Sequence, residues 1–334
     1  MKHINVALFV VHKGCPHMCS FCNQRSISGS QKDVTPDDVH SAAATAIDSL
    51  TESEASGGEI AFFGGSFTMV EREYMLSLLK AAYEYVEKGV FKGIRISTRP
   101  DGIDDEICRI LKQYGVTAVE LGAQSLDDRV LMLNERGHTA KQVEDACKLL
   151  KKYGFETGLQ MMTGLYGSEN SDSLETAEKI IALSPDTVRI YPTVVIKGTR
   201  LCELMEKGEF RPVGIEETVG LCAKLIPMFE DAGIKVIRVG LHSGGGVEEG
   251  FAGGAYHPAL RELCEGRIYF NSALEKLKEY GEGEYVLAVN KREISKMTGQ
   301  KKQNLLKLKS LGFECSVEGR EELKKYEIEA VKVR

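Results

Sequence analysis

Short apolar segments alternate with amphipathic helical ones through the first 243 residues, and no other feature constrains the fold as tightly. The strand candidates are INVALFVV (4–11), EIAFFGG (59–65), GIRIST (93–98), AVELGAQ (118–124), ETGLQMM (156–162), TVRIYPTVV (187–195) and VIRVGLH (236–242). Each is bounded by Gly, Pro or polar residues, as strands commonly are. Helical patterns lie between them. TPDDVHSAAATAIDSL offers Thr35 as N-cap with Pro36 at the first helical position. EYMLSLLKAAYEYVEKG ends on Gly89, a suitable residue just past a helix. Repeated strand–helix alternation requires a parallel sheet with right-handed crossovers. Six or seven such units in this length predict an α/β fold of the TIM type, a full or partial (β/α) barrel, more readily than a doubly wound sheet. Chemistry in such barrels sits at the C-terminal strand ends.

The expected organisation is a barrel core over 1–243, a glycine-rich connecting segment over 244–258 and a small basic α/β domain over 259–334. The N-terminal apolar run lacks a small-residue cleavage site and leads straight into a cysteine loop, so it reads as a strand and not a signal peptide. No run of apolar residues is long enough to span a bilayer. A cytoplasmic protein is expected. Net charge is −6, but it is unevenly spread: residues 251–334 carry 16 basic against 13 acidic residues. Within them, NKREISKMTGQKKQNLLKLK (290–309) has seven basic residues and one acid. That run reads either as a solvated helix face or as a phosphate-tracking surface.

Of nine cysteines, six are dispersed, and Cys108, Cys147 and Cys222 sit at helical spacing among apolar residues, as buried small hydrophobes do. The other three, Cys15, Cys19 and Cys22, are grouped in KGCPHMCSFCNQR with C-x3-C-x2-C spacing. A structural zinc site wants four ligands, and His17 is available to complete a Cys3His set. Zinc ligands usually come from two separated hairpins, however, and here all lie on one loop. Three thiolates on a [4Fe–4S] cluster leave one iron open, and an open position marks a reacting site.

C-x3-C-x2-C at the end of the first barrel strand resembles the radical S-adenosylmethionine (SAM) superfamily. The resemblance implies that Cys15, Cys19 and Cys22 bind three irons, that SAM chelates the fourth, and that one electron cleaves SAM to a 5′-deoxyadenosyl radical. It places Phe21 beside the adenine, and Gly64, Gly65 and Ser66 of FFGGSFT at the SAM amino group. Ser97 and Arg99 of RISTRPD are then contacts to ribose or methionine, Gln124 and Arg136 of GAQSLDDRVLMLNERGHT face the SAM site, and Gln160 is a ribose contact. GCPHMCSFCNQ, FFGGSFT, STRPD, NERGHT and RIYPTVVIKGTRLCELMEKGEF, together over roughly residues 5–245, resemble the radical SAM part of the Elongator catalytic subunit. The cysteine loop has different spacings from Elongator, and no acetyltransferase domain is expected after Arg334.

The resemblance implies a flavodoxin or ferredoxin as electron donor and RNA, perhaps tRNA, as substrate. Lys291, Arg292, Lys296, Lys301, Lys302, Lys307 and Lys309 would then follow phosphates. TGQKKQNLL is similar to the Gly-rich loop of KH modules, with Lys302 in place of its second glycine. Tyr191, His242, Tyr256 and His257 are candidates for the substrate side, Tyr191, His242 and His257 as catalytic groups. Two alternatives stay open: a radical SAM enzyme on a small metabolite or peptide, and a non-catalytic protein with a structural zinc loop.

Overall fold

In a computed structural model of the chain, residues 4–10, 14–15, 18–23, 32–241 and 246–333 are described. His17 and His242 lie outside them. Two compact units are present: 1–213 with 228–255, and 214–227 with 256–334.

The first unit is built on a seven-stranded parallel sheet. Its strands are β1 (Asn5–Phe9), β2 (Glu59–Phe63), β3 (Gly93–Thr98), β4 (Val116–Gln124), β5 (Glu156–Thr163), β6 (Thr187–Pro192) and, after the short β7 (Val194–Ile196), β8 (Lys235–Val239). They pair in the order β1-β2-β3-β4-β5-β6-β8. β1 and β8 are not paired with each other among the described residues, so the barrel is partial. Alternate residues point to opposite faces of a strand. Ile60, Phe62, Ile94, Ile96, Val119, Leu121, Leu159, Met161, Val188 and Ile190 share the helix-covered face and are all fully buried. In register on the other face are Glu59, Arg95, Glu120, Gln160 and Arg189, polar residues that set the character of the barrel interior.

The helices carry the caps read from the sequence. Thr35 accepts a hydrogen bond from Asp38 N and the Asp38 carboxylate accepts one from Thr35 N, a reciprocal capping box before the helix Pro36–Ser49. Such caps contribute about 1 kcal/mol each. Asp104 caps the helix Asp105–Gln113 by accepting from Ile107 N at 2.7 Å.

TVRIYPTVV does not form one strand. Pro192 has no N–H to continue the ladder, and Val194–Ile196 turns away to pair antiparallel with β9 (Phe251–Gly254). The glycine-rich stretch thus contains the helix Val247–Gly250 and strand β9.

In the second unit the long helix Leu260–Tyr280 leads to β10 (Gly283–Asn290), β11 (Phe313–Arg320) and β12 (Glu329–Lys332), ordered β11-β10-β12. Tyr269, Leu277, Tyr285, Leu287, Val289, Met297, Leu308 and Phe313 form its core. The expected single basic helix is broken. Ile294–Thr298 and Gln303–Ser310 are separated by a turn in which Gly299, Lys301 and Lys302 have φ of 76°, 52° and 61°. Buried Asn304 fastens that turn by donating to Gly266 O at 2.9 Å and Met297 O at 3.1 Å.

Candidate functional site

The cysteine loop leaves β1 and docks against the segment after β2. Gly14 makes this possible: a Cβ at its φ of +73° would stand 2.2 Å from Ser66 O and 2.7 Å from Val70 N. Only glycine tolerates both the dihedral and the approach. Further along, Ser20 is clamped. Its N and Oγ donate to Asn134 O (3.2 Å) and Asn134 Oδ1 (2.9 Å), and its carbonyl accepts from Leu201 N at 2.8 Å. Asn134 donates in turn to Val130 O (2.8 Å) and Tyr166 O (2.9 Å). Cys22 N donates to Cys19 O, closing a turn. Two separate segments, at Asn134 and at Leu201, therefore hold Ser20 between Cys19 and Cys22.

Around the thiols stand two buried guanidiniums. Arg136 donates from Nη1 to Cys19 Sγ at 3.1 Å and from Nη2 to Gly122 O at 2.6 Å, while its Nε has no protein partner. Arg99 makes a two-pronged bond to Asp101, both at 2.9 Å, and leaves Nη1 unpaired. Ser97 Oγ and His138 Nδ1 are also buried and unpaired. His138 is anchored through Nε2 to Ala123 O at 3.2 Å. Burial, with Arg136 and Arg99 nearby, pushes its pKa down to about 3, so it is neutral. Burial raises the Cys15 thiol, helped by the neighbouring Cys19 and opposed by Arg136 and Arg99.

Gln124 ends β4 with φ of 64°, an uncommon conformation for a side chain of this size, and lies at a register shift against β5. Gly122 makes room beside it, since a Cβ there would sit 2.9 Å from Gln124 Nε2 and 3.2 Å from Arg136 Nη2. Gly64 and Gly65 both adopt positive φ. The Ser66 hydroxyl is engaged: it shares a hydrogen bond with Thr98 Oγ1 (2.9 Å) and accepts from Arg99 N (3.2 Å). Phe21 packs with Val195, Leu201, Cys202 and Leu204.

Below these strand ends the barrel interior carries an ionic floor. Arg95 donates to Glu59 (2.7 Å), Glu156 (2.7 Å) and Glu120 (3.4 Å). Arg189 grips Glu120 with both prongs, at 2.5 and 2.7 Å, and Gln160 reaches the same carboxylate at 3.4 Å. Gln160 thus belongs to the floor. Tyr191 lies beside Arg189, and burial foremost raises its hydroxyl pKa.

In the second unit, His257 Nδ1 accepts from Ala259 N at 3.0 Å, at the start of the helix 260–280. The seven basic candidates divide. Lys291 pairs with Glu321, Lys296 with Glu265 and Glu293, and Lys309 with Glu314. Arg292, Lys301, Lys302 and Lys307 are exposed and have no ion-pair partner among the described residues. Gly14, Ser20, Asn134, His138 and the Glu120–Arg189 pair were not singled out from the sequence. Asn134 and His138 sit within the NERGHT string and Gly14 abuts Cys15, which was the available signal.

Among the described residues, no three His, Cys, Asp or Glu side chains converge as a metal-binding group. Ligand binding and site assembly are coupled for metals, because ligation supplies the energy that gathers the ligands. The residues fit an iron–sulfur cluster by other observations: a soft thiol donor set on one clamped loop, a guanidinium already bonded to one sulfur, and unpaired buried donors beside it.

A partial parallel barrel with a cysteine loop after its first strand defines a class of cluster-binding enzymes, and the comparisons agree. The Radical SAM superfamily model matches residues 9–180, and the Radical_SAM C-terminal domain model matches 185–269. The chain belongs to the radical SAM superfamily, whose cofactors are a [4Fe–4S] cluster and SAM, and is a radical SAM enzyme. This sets aside the structural-zinc alternative. Among its relatives is a tRNA uridine(34) acetyltransferase of Methanocaldococcus infernus, 30% identical over 181 residues, covering 48% of this chain and 34% of the relative. Human Elongator complex protein 3 is 30% identical over 190 residues, covering 51% of this chain and 35% of the relative. The chain spans about a third of the length of these two curated relatives. The structure of the M. infernus Elp3 with an N-terminal deletion superposes with TM-score 0.65 at 22% identity, covering 80% of this chain and 62% of that one. That likeness shows the fold. No helix among the described residues is long and apolar enough to cross a membrane.

Proposed function

We propose that this radical SAM enzyme acts on RNA, as a tRNA-modifying enzyme, with Cys15, Cys19 and Cys22 as the cluster ligands. When bound, the cluster and SAM supply one-electron chemistry that yields a 5′-deoxyadenosyl radical. The protein's own part is to hold and enclose. Gly14 and the Ser20–Asn134 clamp set the loop, and the tight Gly64–Gly65 turn has no side chain to hold SAM away from its backbone. Arg99 Nη1, Ser97 Oγ and Gln124 are hydrogen-bonding groups for its polar parts. The buried floor under them closes the barrel interior, and Tyr191 at its edge is the candidate catalytic group on the substrate side. A flavodoxin or ferredoxin would deliver the electron.

The observation that carries the RNA reading is the exposed turn at Gly299–Gln303, where Lys301 and Lys302 stand free of carboxylates beside Lys307 on the following helix. Relatives named tRNA uridine(34) acetyltransferase support it. Both lysines combine left-handed backbone angles with exposed side chains. The test is 5′-deoxyadenosine formation by anaerobically reconstituted protein with SAM and dithionite, with and without bulk tRNA. Acceleration by tRNA is expected; formation indifferent to tRNA would move the substrate to metabolites or peptides.

A further inference from the structure

Arg136 makes a contact that a residue serving only SAM would not need. Arg136 is 7% exposed, and its permanently charged guanidinium donates to the sulfur of Cys19, itself 7% exposed. The arrangement is built, not incidental. The second prong is tied to Gly122 O at 2.6 Å, and Gly122 lacks the Cβ that would press on it. The backbone around Arg136 is folded for the purpose: Arg136 N donates to Leu131 O at 3.0 Å, Glu135 and Gly137 have φ of 56° and 70°, and His138 pins the loop to Ala123 O. Asn134, at the head of the same loop, holds Ser20 next to Cys19. Sulfur and guanidinium are thus fixed to one another by contacts on both sides.

Hydrogen bonds to the ligand sulfurs, net charge and solvent exposure set the potential of an iron–sulfur cluster. A buried guanidinium on a ligand sulfur supplies the first two together, and both favour the reduced, more negative state. We infer that Arg136 sets the reduction potential of the cluster through the Sγ of Cys19, raising it toward what a biological donor can reach. The step is one electron from an external reductant (dithionite, or a flavodoxin) to the cluster, with no bond made or broken and no proton moved. Arg136 is a positioning residue, acting through Cys19. The inference rests on Cys19 being a cluster ligand.

The test is a SAM-free redox titration, followed by electron paramagnetic resonance, of anaerobically reconstituted wild type, Arg136→Gln, Arg136→Lys and Arg99→Gln. Iron and sulfide content is measured for each, and also for Cys19→Ala. Arg136→Gln is expected to make reduction at least tenfold less favourable, about 59 mV more negative for a one-electron couple. Arg136→Lys, which keeps charge but loses the rigid fork, should shift less, and Arg99→Gln, which removes an equal charge that is bonded to Asp101 and not to sulfur, should hardly shift. An unchanged midpoint in Arg136→Gln with full iron overturns the inference. If that variant loses its iron, Arg136→Lys decides in the same way. An equal shift in Arg99→Gln would replace the sulfur contact with a general field and also overturn it. Full iron in Cys19→Ala would instead refute the ligand assignment, a distinct outcome.

Discussion

Glu120 is the keystone of the barrel floor, and its loss should show as stability before it shows as chemistry. It is 1% exposed and accepts from Arg189 at 2.5 and 2.7 Å, from Arg95 at 3.4 Å and from Gln160 at 3.4 Å. Glu120→Gln keeps the shape and removes the charge. Arg95 would still have Glu59 and Glu156, but Arg189 would lose its only carboxylate partner among the described residues. Breaking one side of a buried pair costs about 3–5 kcal/mol, chiefly because the remaining charge stays desolvated. With a urea slope of roughly 3 kcal/mol/M, the unfolding midpoint should fall by about 1 M at unchanged slope. The assay is urea unfolding of the SAM-free protein followed by circular dichroism. Glu120→Gln combined with Arg189→Met should recover part of the loss, with a coupling above about 1.5 kcal/mol. A midpoint equal to wild type, or strict additivity in the double variant, would refute the picture of a dry ionic floor.

Gly14→Ala should cost most of the bound iron and sulfide while the barrel stays folded, since the clash is with loop backbone that has no easy way to yield; full cluster content would show that the loop adapts. His138 supplies the pH dependence. Its pKa is about 3 when folded against an ordinary 6.5, so below pH 6.5 the unfolded chain takes up a proton that the folded one does not. Stability from this group therefore falls as pH drops from 6.5 toward 3, by about 1.4 kcal/mol per pH unit at the limiting slope. His138→Gln should flatten that part of the profile in urea titrations, and an unaltered slope would place the dependence elsewhere. Replacing Lys301 and Lys302 by Ala should reduce the slope of log affinity for tRNA against log salt by roughly 1.5, while Lys309→Ala, already paired with Glu314, should change it little. Equal effects from all three would mean that the turn holds no special place.

Much of the fold can be read along the chain because it is a matter of period and punctuation. Thr35 with Pro36 opens a helix and Gly89 follows one at φ of 71°, both local effects. Two misreadings came from breaks that local pattern hides. Pro192 divides an apolar run into strands of different sheets, and Lys301 and Lys302 adopt backbone angles usually left to glycine. At the site, the cysteine spacing was legible because all three ligands share one short loop. The partners that make the loop usable were not.

The sequence by itself determined the parallel α/β order, the strand ends where chemistry collects and the thiol triplet, because each is encoded in residues close together along the chain. Tertiary structure alone decided which charges meet. Arg136 and Cys19 are separated by 117 positions, Asn134 and Ser20 by 114, and Arg189 and Glu120 by 69. Period-two alternation assigns a strand residue to a face, yet says nothing of what faces it across a curled sheet. Arg95, Glu120 and Arg189 look out of place in apolar strands until the pairing and curl of the sheet bring each to its counter-charge. The same holds in the small unit, where Lys291 and Lys309 are spent on Glu321 and Glu314 while Lys301 and Lys302 are left to water. Composition counts these cations alike; only folding, through the distances it sets, separates the neutralised from the available.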